Sequence, residues 1–142
     1  MKRRRIANIA RVHGEWGEDI AAEFLRRAGY EILERNSRPV KKDRRLDIDI
    51  VAYDKRSDAV VFVEVKQHSA RSPFQKRIRS VDKSKKSHLL RACNAWRWSN
   101  SWRKSYRFDV VEVYGRPGET GTVDHIPHVR LFAKPERFAR WD

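Results

Sequence analysis

A single cysteine, Cys93, leaves this chain no internal disulfide, which excludes a small secreted scaffold held together by cross-links. Its place in a helical pattern without a His or Asn partner points to packing on a helix face rather than to a nucleophile. No stretch is apolar over a membrane-spanning length or resembles the centre of a secretory signal, so a cytoplasmic location is the expectation. A glycine-rich phosphate loop, a Ser-His-Asp order, a CxxC pair, a heptad array and an internal repeat are all missing, and with them go most enzyme and fibrous classes. Acidic residues are also scarce, with 19 Asp and Glu against 33 Lys and Arg, a net charge of +14 and a pI near 10.5. Such an excess points to a polyanionic partner: nucleic acid first, an anionic membrane surface second.

What is present is enough for one folded domain. The chain has 142 residues, 39% hydrophobic and 11% aromatic, which argues against global disorder and against a second domain. Two segments alternate with period two, residues 46–53 and 59–66, and the turn-like Asp54-Lys55-Arg56-Ser57-Asp58 joins them. If Tyr53 pairs with Val60, antiparallel register sets Asp49 opposite Glu64, and Lys66 projects from the same face. Facing carboxylates repel unless a cation, a lysine or a proton lies between them, and Mg²⁺ or Mn²⁺ chemistry on phosphodiesters suits such a pair. The alternative is an ordinary hairpin with a solvated charged face. The nearly unbroken apolar run from Val60 to Val65 weighs against it, because a strand covered on both faces rarely carries unpaired charge.

Around this hairpin the helical stripe Gly17, Ile20, Ala21, Phe24, Leu25 and Ala28 predicts a first helix over 9–28, stopped by Gly29. Gly14 and Gly17 read as sites of close helix-to-sheet approach. Glu18 lies on the flank of the stripe, within reach of the site's edge, or is simply a solvated helix residue. Residues 30–36 read as the first strand. Next comes a basic loop containing Arg38, Lys41, Lys42, Arg44 and Arg45, either a phosphate rail or a solvated loop. Residues 67–79, with Pro73, read as a loop, and 80–98 as a second helix whose stripe is Val81, Leu89, Ala92 and Trp96. Lys85 falls near the middle of that stripe and points to the sheet, either toward a phosphate or with only its stem buried. Trp96 is assigned to the core, whereas Trp98 and Trp102, interleaved with Arg97 and Arg103, are candidates for base stacking. Residues 107–113 read as the last strand, before a Gly/Pro-rich turn over 115–121. Asp109 reads most simply as an ion-pair partner of a neighbouring Arg, and Pro127 argues against a zinc site at His125 and His128.

The run Gly14-Glu15-Trp16-Gly17-Glu18, then Ala21, Leu25, Gly29-Tyr30-Glu31-Ile32-Leu33, Asn36 and Arg38, continues with Asp47-Ile48-Asp49-Ile50-Val51-Ala52, Val61-Phe62-Val63-Glu64-Val65-Lys66 and Arg107-Phe108-Asp109-Val110-Val111. In that order these motifs resemble the YraN-type family, itself similar to the PD-D/E-x-K nuclease superfamily and related to archaeal Holliday-junction resolvases. The resemblance covers roughly residues 13–132. It departs from the usual pattern at Asp47, where Glu is normal, and at His68, where another basic residue is normal. It implies a restriction-endonuclease-like α/β core, a central mixed sheet flanked by helices in the order αβββαβ. Residues 1–12 would form a basic arm and 133–142 a tail.

On this reading Asp49 and Glu64 hold Mg²⁺ or Mn²⁺, with Glu18 completing the metal shell by resemblance. Lys66 orients the attacking water or stabilises developing charge. Asp47 supports the site, and Lys85 with the basic loop contacts nucleic acid, most simply DNA. The rival expectation is a noncatalytic nucleic-acid-binding module on a nuclease scaffold. A protein-interaction adaptor is weaker, because it leaves the carboxylate-lysine cluster unexplained. Cutting a four-way junction would need two sites and hence a homodimer, for which the sequence offers no interface.

Overall fold

A computed structural model describes the backbone of residues 2–69 and 83–132, with side chains from Gly14 in the first helix and from Ser84 in the second. Its elements are α1 (Lys2–Arg27), β1 (Tyr30–Ser37), β2 (Ile48–Asp54), β3 (Ala59–His68), α2 (Lys83–Ser99), β4 (Ser105–Tyr114) and β5 (Thr122–Ile126). The strands form one sheet in the order β1-β2-β3-β4-β5. Only β3 and β4 run parallel; the other neighbours are antiparallel. A parallel pair needs a long crossover, and the connection carrying α2 supplies it. The result is the α/β, restriction-endonuclease-like arrangement expected, a mixed sheet flanked by two helices.

Alternation along the strands sorts the core into two layers. Val61 and Val63 of β3 pack with Ala21, Ala22 and Leu25 of α1, while Val60 and Phe62 pack with Leu89, Ala92, Cys93 and Trp96 of α2. The helices therefore cover opposite faces, which is why β3 reads as an almost continuous apolar run. Burying such side chains on both faces contributes on the order of 1.5–3 kcal/mol each. α1 ends as its sequence predicts: Gly29 takes φ 96° and its N–H donates to the Arg26 carbonyl at 3.0 Å, a conformation that glycine adopts without the Cβ penalty.

The structure differs from the expectations at several points. A fifth strand, β5, pairs along β4; its residues are half-exposed and mostly polar, so pairing rather than apolar pattern makes it a strand. α1 begins at Lys2 rather than near residue 9, so the basic N-terminal residues continue the helix. A Cβ on Gly17 would meet the Gln67 carboxamide, as close packing requires, but nothing approaches Gly14 within 4 Å. Gly14 is instead exposed, and close approach does not explain it. Val81, the start of the second helix, most of the loop over 67–79 and the tail over 133–142 lie outside the described residues.

Candidate active site

The β2–β3 hairpin has the register supposed for it, with Tyr53 opposite Val60 and Ile50 opposite Val63. One step further along, Asp49 comes level with Glu64, and there its Oδ2 accepts the Val65 N–H at 2.8 Å. Asp49 shares the parity of Val51, and Glu64 and Lys66 that of Phe62, so all three lie on the face covered by α2. From α2, Lys85 reaches down to this face, its Nζ 2.5 Å from Glu64 Oε1. Asp49 and Glu64 line a pocket of about 200 Å³ together with Arg45, Asp47, Ser84, Lys85, His88 and Leu89.

The pocket's electrostatics follow from two carboxylates in a poorly solvated corner. Burial, then the charge of Glu64, raises the Asp49 carboxyl far above its ordinary range, against the pull of the Val65 hydrogen bond. Burial opposes the charge on Lys85, but Glu64, Asp49 and Asp47 outweigh it and hold the ammonium above its ordinary value. Glu64 itself is buried at 6% exposure. The Lys85 ammonium thus supplies the positive charge that facing carboxylates require.

Glu18 is not among the described residues lining this pocket. It extends from α1, on the opposite face, with Oε2 3.7 Å from an Arg35 nitrogen. Burial raises its carboxyl, while the Asn36 hydrogen bond and Arg35 pull it back; Asp47 and Asp49 sense its charge. Among the described residues no three or more His, Cys, Asp or Glu side chains are grouped so as to hold a metal ion. A Mg²⁺ or Mn²⁺ ion asks less, because one or two carboxylates suffice when water and phosphate oxygens fill the shell. The hard oxygen donors of Asp49 and of Glu64, the latter paired with the Lys85 ammonium, fit such an ion.

The remaining predicted residues spread around this centre. Asp47 is exposed just before β2 and lines the pocket. In the basic loop Arg45 lines the pocket and forks onto Asp43 at 2.9 and 2.8 Å; Arg38, Lys41, Lys42 and Arg44 are exposed. Lys66 lies one pleat beyond Glu64, opposite Glu112 of β4. There the same face continues into a second polar group. Glu112 is fully buried, its Oε2 accepting the Tyr114 hydroxyl at 2.9 Å and its Oε1 3.5 Å from His68 Nε2. The rings of His68 and Tyr114 stack at 5.0 Å.

The sequence reading had not singled out Glu112, Tyr114, Ser84 or His88 as site residues. Helical spacing from Lys85 could have found His88. Glu112 carries no local signal, because only the β3–β4 register brings it beside Lys66 and His68. Asp109 is, as expected, an ion-pair partner of Arg107, at 3.0 Å, and it also holds His125 at 2.8 Å on the α1 face. Among the described residues no helix is long and apolar enough to cross a membrane.

Comparison with known sequences finds one family. The profile described as "Uncharacterised protein family UPF0102" matches residues 17–113, from the last part of α1 through the hairpin and α2 to the end of β4. A UPF0102 protein of Nitratidesulfovibrio vulgaris (strain DP4) is 38% identical over 117 residues, 80% of this chain and 79% of its own length. One from Trichlorobacter lovleyi is 35% identical over 116 residues, 81% of this chain and 87% of its own length. One from Syntrophotalea carbinolica is 40% identical over 119 residues, 80% and 87% of the two chains. With the profile across its core and relatives at this identity along most of its length, the chain belongs to the UPF0102 family, of YraN type.

Proposed function

We propose that this protein is a metal-dependent nuclease that hydrolyses nucleic-acid phosphodiesters, with DNA as the favoured substrate. The observation that carries the reading is the convergence of Asp49 and Glu64 in one pocket, under a positive charge from Lys85. A bound Mg²⁺ or Mn²⁺ would polarise the phosphate and lower the pKa of a water. Asp49 and Glu64 would hold that ion, with Glu18, whose charge reaches Asp49 from α1, as a further ligand. Lys85, freed from Glu64, would turn to a phosphate oxygen. Lys66, on the same face, would orient the attacking water or stabilise charge developing on the phosphate. Arg45 and the exposed cations of the loop before β2 would hold the flanking backbone.

The Lys85–Glu64 pair also gives substance to a second reading, a nucleic-acid-binding module whose ammonium permanently takes the place of the ion. Cleavage of duplex, single-stranded, flap and four-way-junction DNA with Mg²⁺ and with Mn²⁺ separates the two. Under the nuclease reading, Asp49→Ala, Glu64→Ala and Lys66→Ala each reduce cleavage by about a hundredfold or more while binding persists. Wild-type protein that binds DNA but cuts nothing in the panel would establish the binding module instead.

A further inference from the structure

Far from the acidic pocket, the C-terminal end of α2 builds a second cavity of about 560 Å³, lined by Asn94, Arg97, Trp98, Ser101, Trp102 and Arg103. Among the described residues its lining holds two arginines and two tryptophans and no carboxylate. Trp98 is 88% exposed, an unusual position for so large an apolar side chain in a charged protein. The other wall is held firmly. Trp102 donates its indole N–H to the Ser105 carbonyl at 2.9 Å and packs against Trp96 and Tyr53. The Arg97 guanidinium lies 3.5 Å over the Tyr106 ring and bonds Asn94 at 3.3 Å. Its Nε is buried and has no hydrogen-bond partner among the described residues.

The helix terminus fixes this shape. Ser101 takes φ 51°, its N–H donates to Trp98 at 3.3 Å, and the Trp102 N–H reaches back to Arg97 at 2.9 Å. These are the paired bonds of a Schellman turn, normally closed by glycine. A serine held in the left-handed region costs about 1 kcal/mol or more. The turn that places Trp102 beside Trp98 is therefore formed against local preference.

We propose that this cavity is a stacking site for an unpaired nucleobase of single-stranded or branched nucleic acid, with Trp98 as the platform and Arg103 on the adjoining phosphate. An indole face accepts any base, a duplex offers none, and the cationic lining matches a phosphate backbone. Trp98 is thirteen positions along α2 from Lys85, roughly 20 Å along the helix axis and, at about 100° per residue, on a different side of the helix, so a strand lying on the acidic pocket reaches the cavity by passing around α2. The inference rests on the nucleic-acid reading above and adds to it a preference for substrates with unpaired bases.

The test is binding of full-length protein, in chelator and at low salt, to an oligothymidylate of about twelve nucleotides and to a duplex of equal length. Trp98→Ala should weaken single-strand binding about 5- to 100-fold, duplex binding by less than about twofold, and Trp98→Phe should retain most of the affinity. Unchanged single-strand affinity in Trp98→Ala, or an equal loss on both probes, would overturn the stacking site and leave the nuclease reading intact. So would a fall in sedimentation mass on substitution, since Trp98 would then be contacting a second copy of the chain. Wild-type protein that binds neither probe would overturn the nucleic-acid reading itself.

Discussion

Asp49 stands against a steep electrostatic gradient. Burial and Glu64 push its carboxyl up to about 8, whereas an unfolded Asp titrates near 3.8. A folded value above the unfolded one means that the native state holds the proton more tightly, so this group's stabilising contribution is present below about pH 4 and lost as pH rises through about 8. Asp49→Asn keeps an acceptor for the Val65 N–H and removes the repulsion. It should raise thermal stability by about 1–2 kcal/mol at pH 8, a few degrees in melting temperature, with the gain shrinking toward pH 4. Melting curves across that range check it, and a variant less stable than wild type at pH 8 would contradict the assignment of repulsion. The same residue should lose metal affinity as pH falls, since ion and proton compete for the carboxylate.

Two features of the secondary structure hold the sheet in the geometry the pocket needs. Arg107 on β4 bonds Asp109 at 3.0 Å, Asp54 at the end of β2 at 3.1 Å and the Tyr30 hydroxyl at the start of β1 at 2.8 Å. It thereby ties β4 to the first two strands across the α1 face. Burial works against the Asp109 charge, but His125 and Arg107 outweigh it and hold the carboxyl below its ordinary range. Arg107→Ala removes the guanidinium shared by Asp109 and Asp54 and should cost about 3–5 kcal/mol in denaturant unfolding; a loss under 1 kcal/mol would mean that His125 and Arg56 compensate the charge. At the α1–β1 joint, Gly29 takes φ 96° with nothing near its missing Cβ. Gly29→Ala should therefore destabilise by about 1 kcal/mol through backbone strain alone. No change in the midpoint would show that the joint relaxes.

Across the molecule the net charge of +14 should govern encounter with DNA. Affinity should fall linearly on a log-log plot against salt, with a slope of about 0.9 per neutralised phosphate on duplex; a slope near zero would remove DNA as the partner. Much of this protein was legible in its residue order. The apolar period-two runs identified β2 and β3, the Tyr53–Val60 pairing supposed for them is the one the sheet adopts, and Gly29 marked the end of α1, because these depend on local sterics and on which side chains avoid water. Asp49 and Glu64 could be paired on paper, since strand alternation carries direction along a hairpin. Beyond the hairpin local rules stopped. β5 exists because β4 offers it an edge, Glu112 meets His68 only through the parallel β3–β4 register, and the Lys85 ammonium reaches Glu64 only once α2 has crossed the sheet. Residue order along the chain decided which segments would become strands and helices and which charges would face one another across a single turn. Packing alone decided which distant groups share a pocket, because contacts between residues far apart in sequence arise from burying two apolar faces at once, and no local pattern encodes that choice.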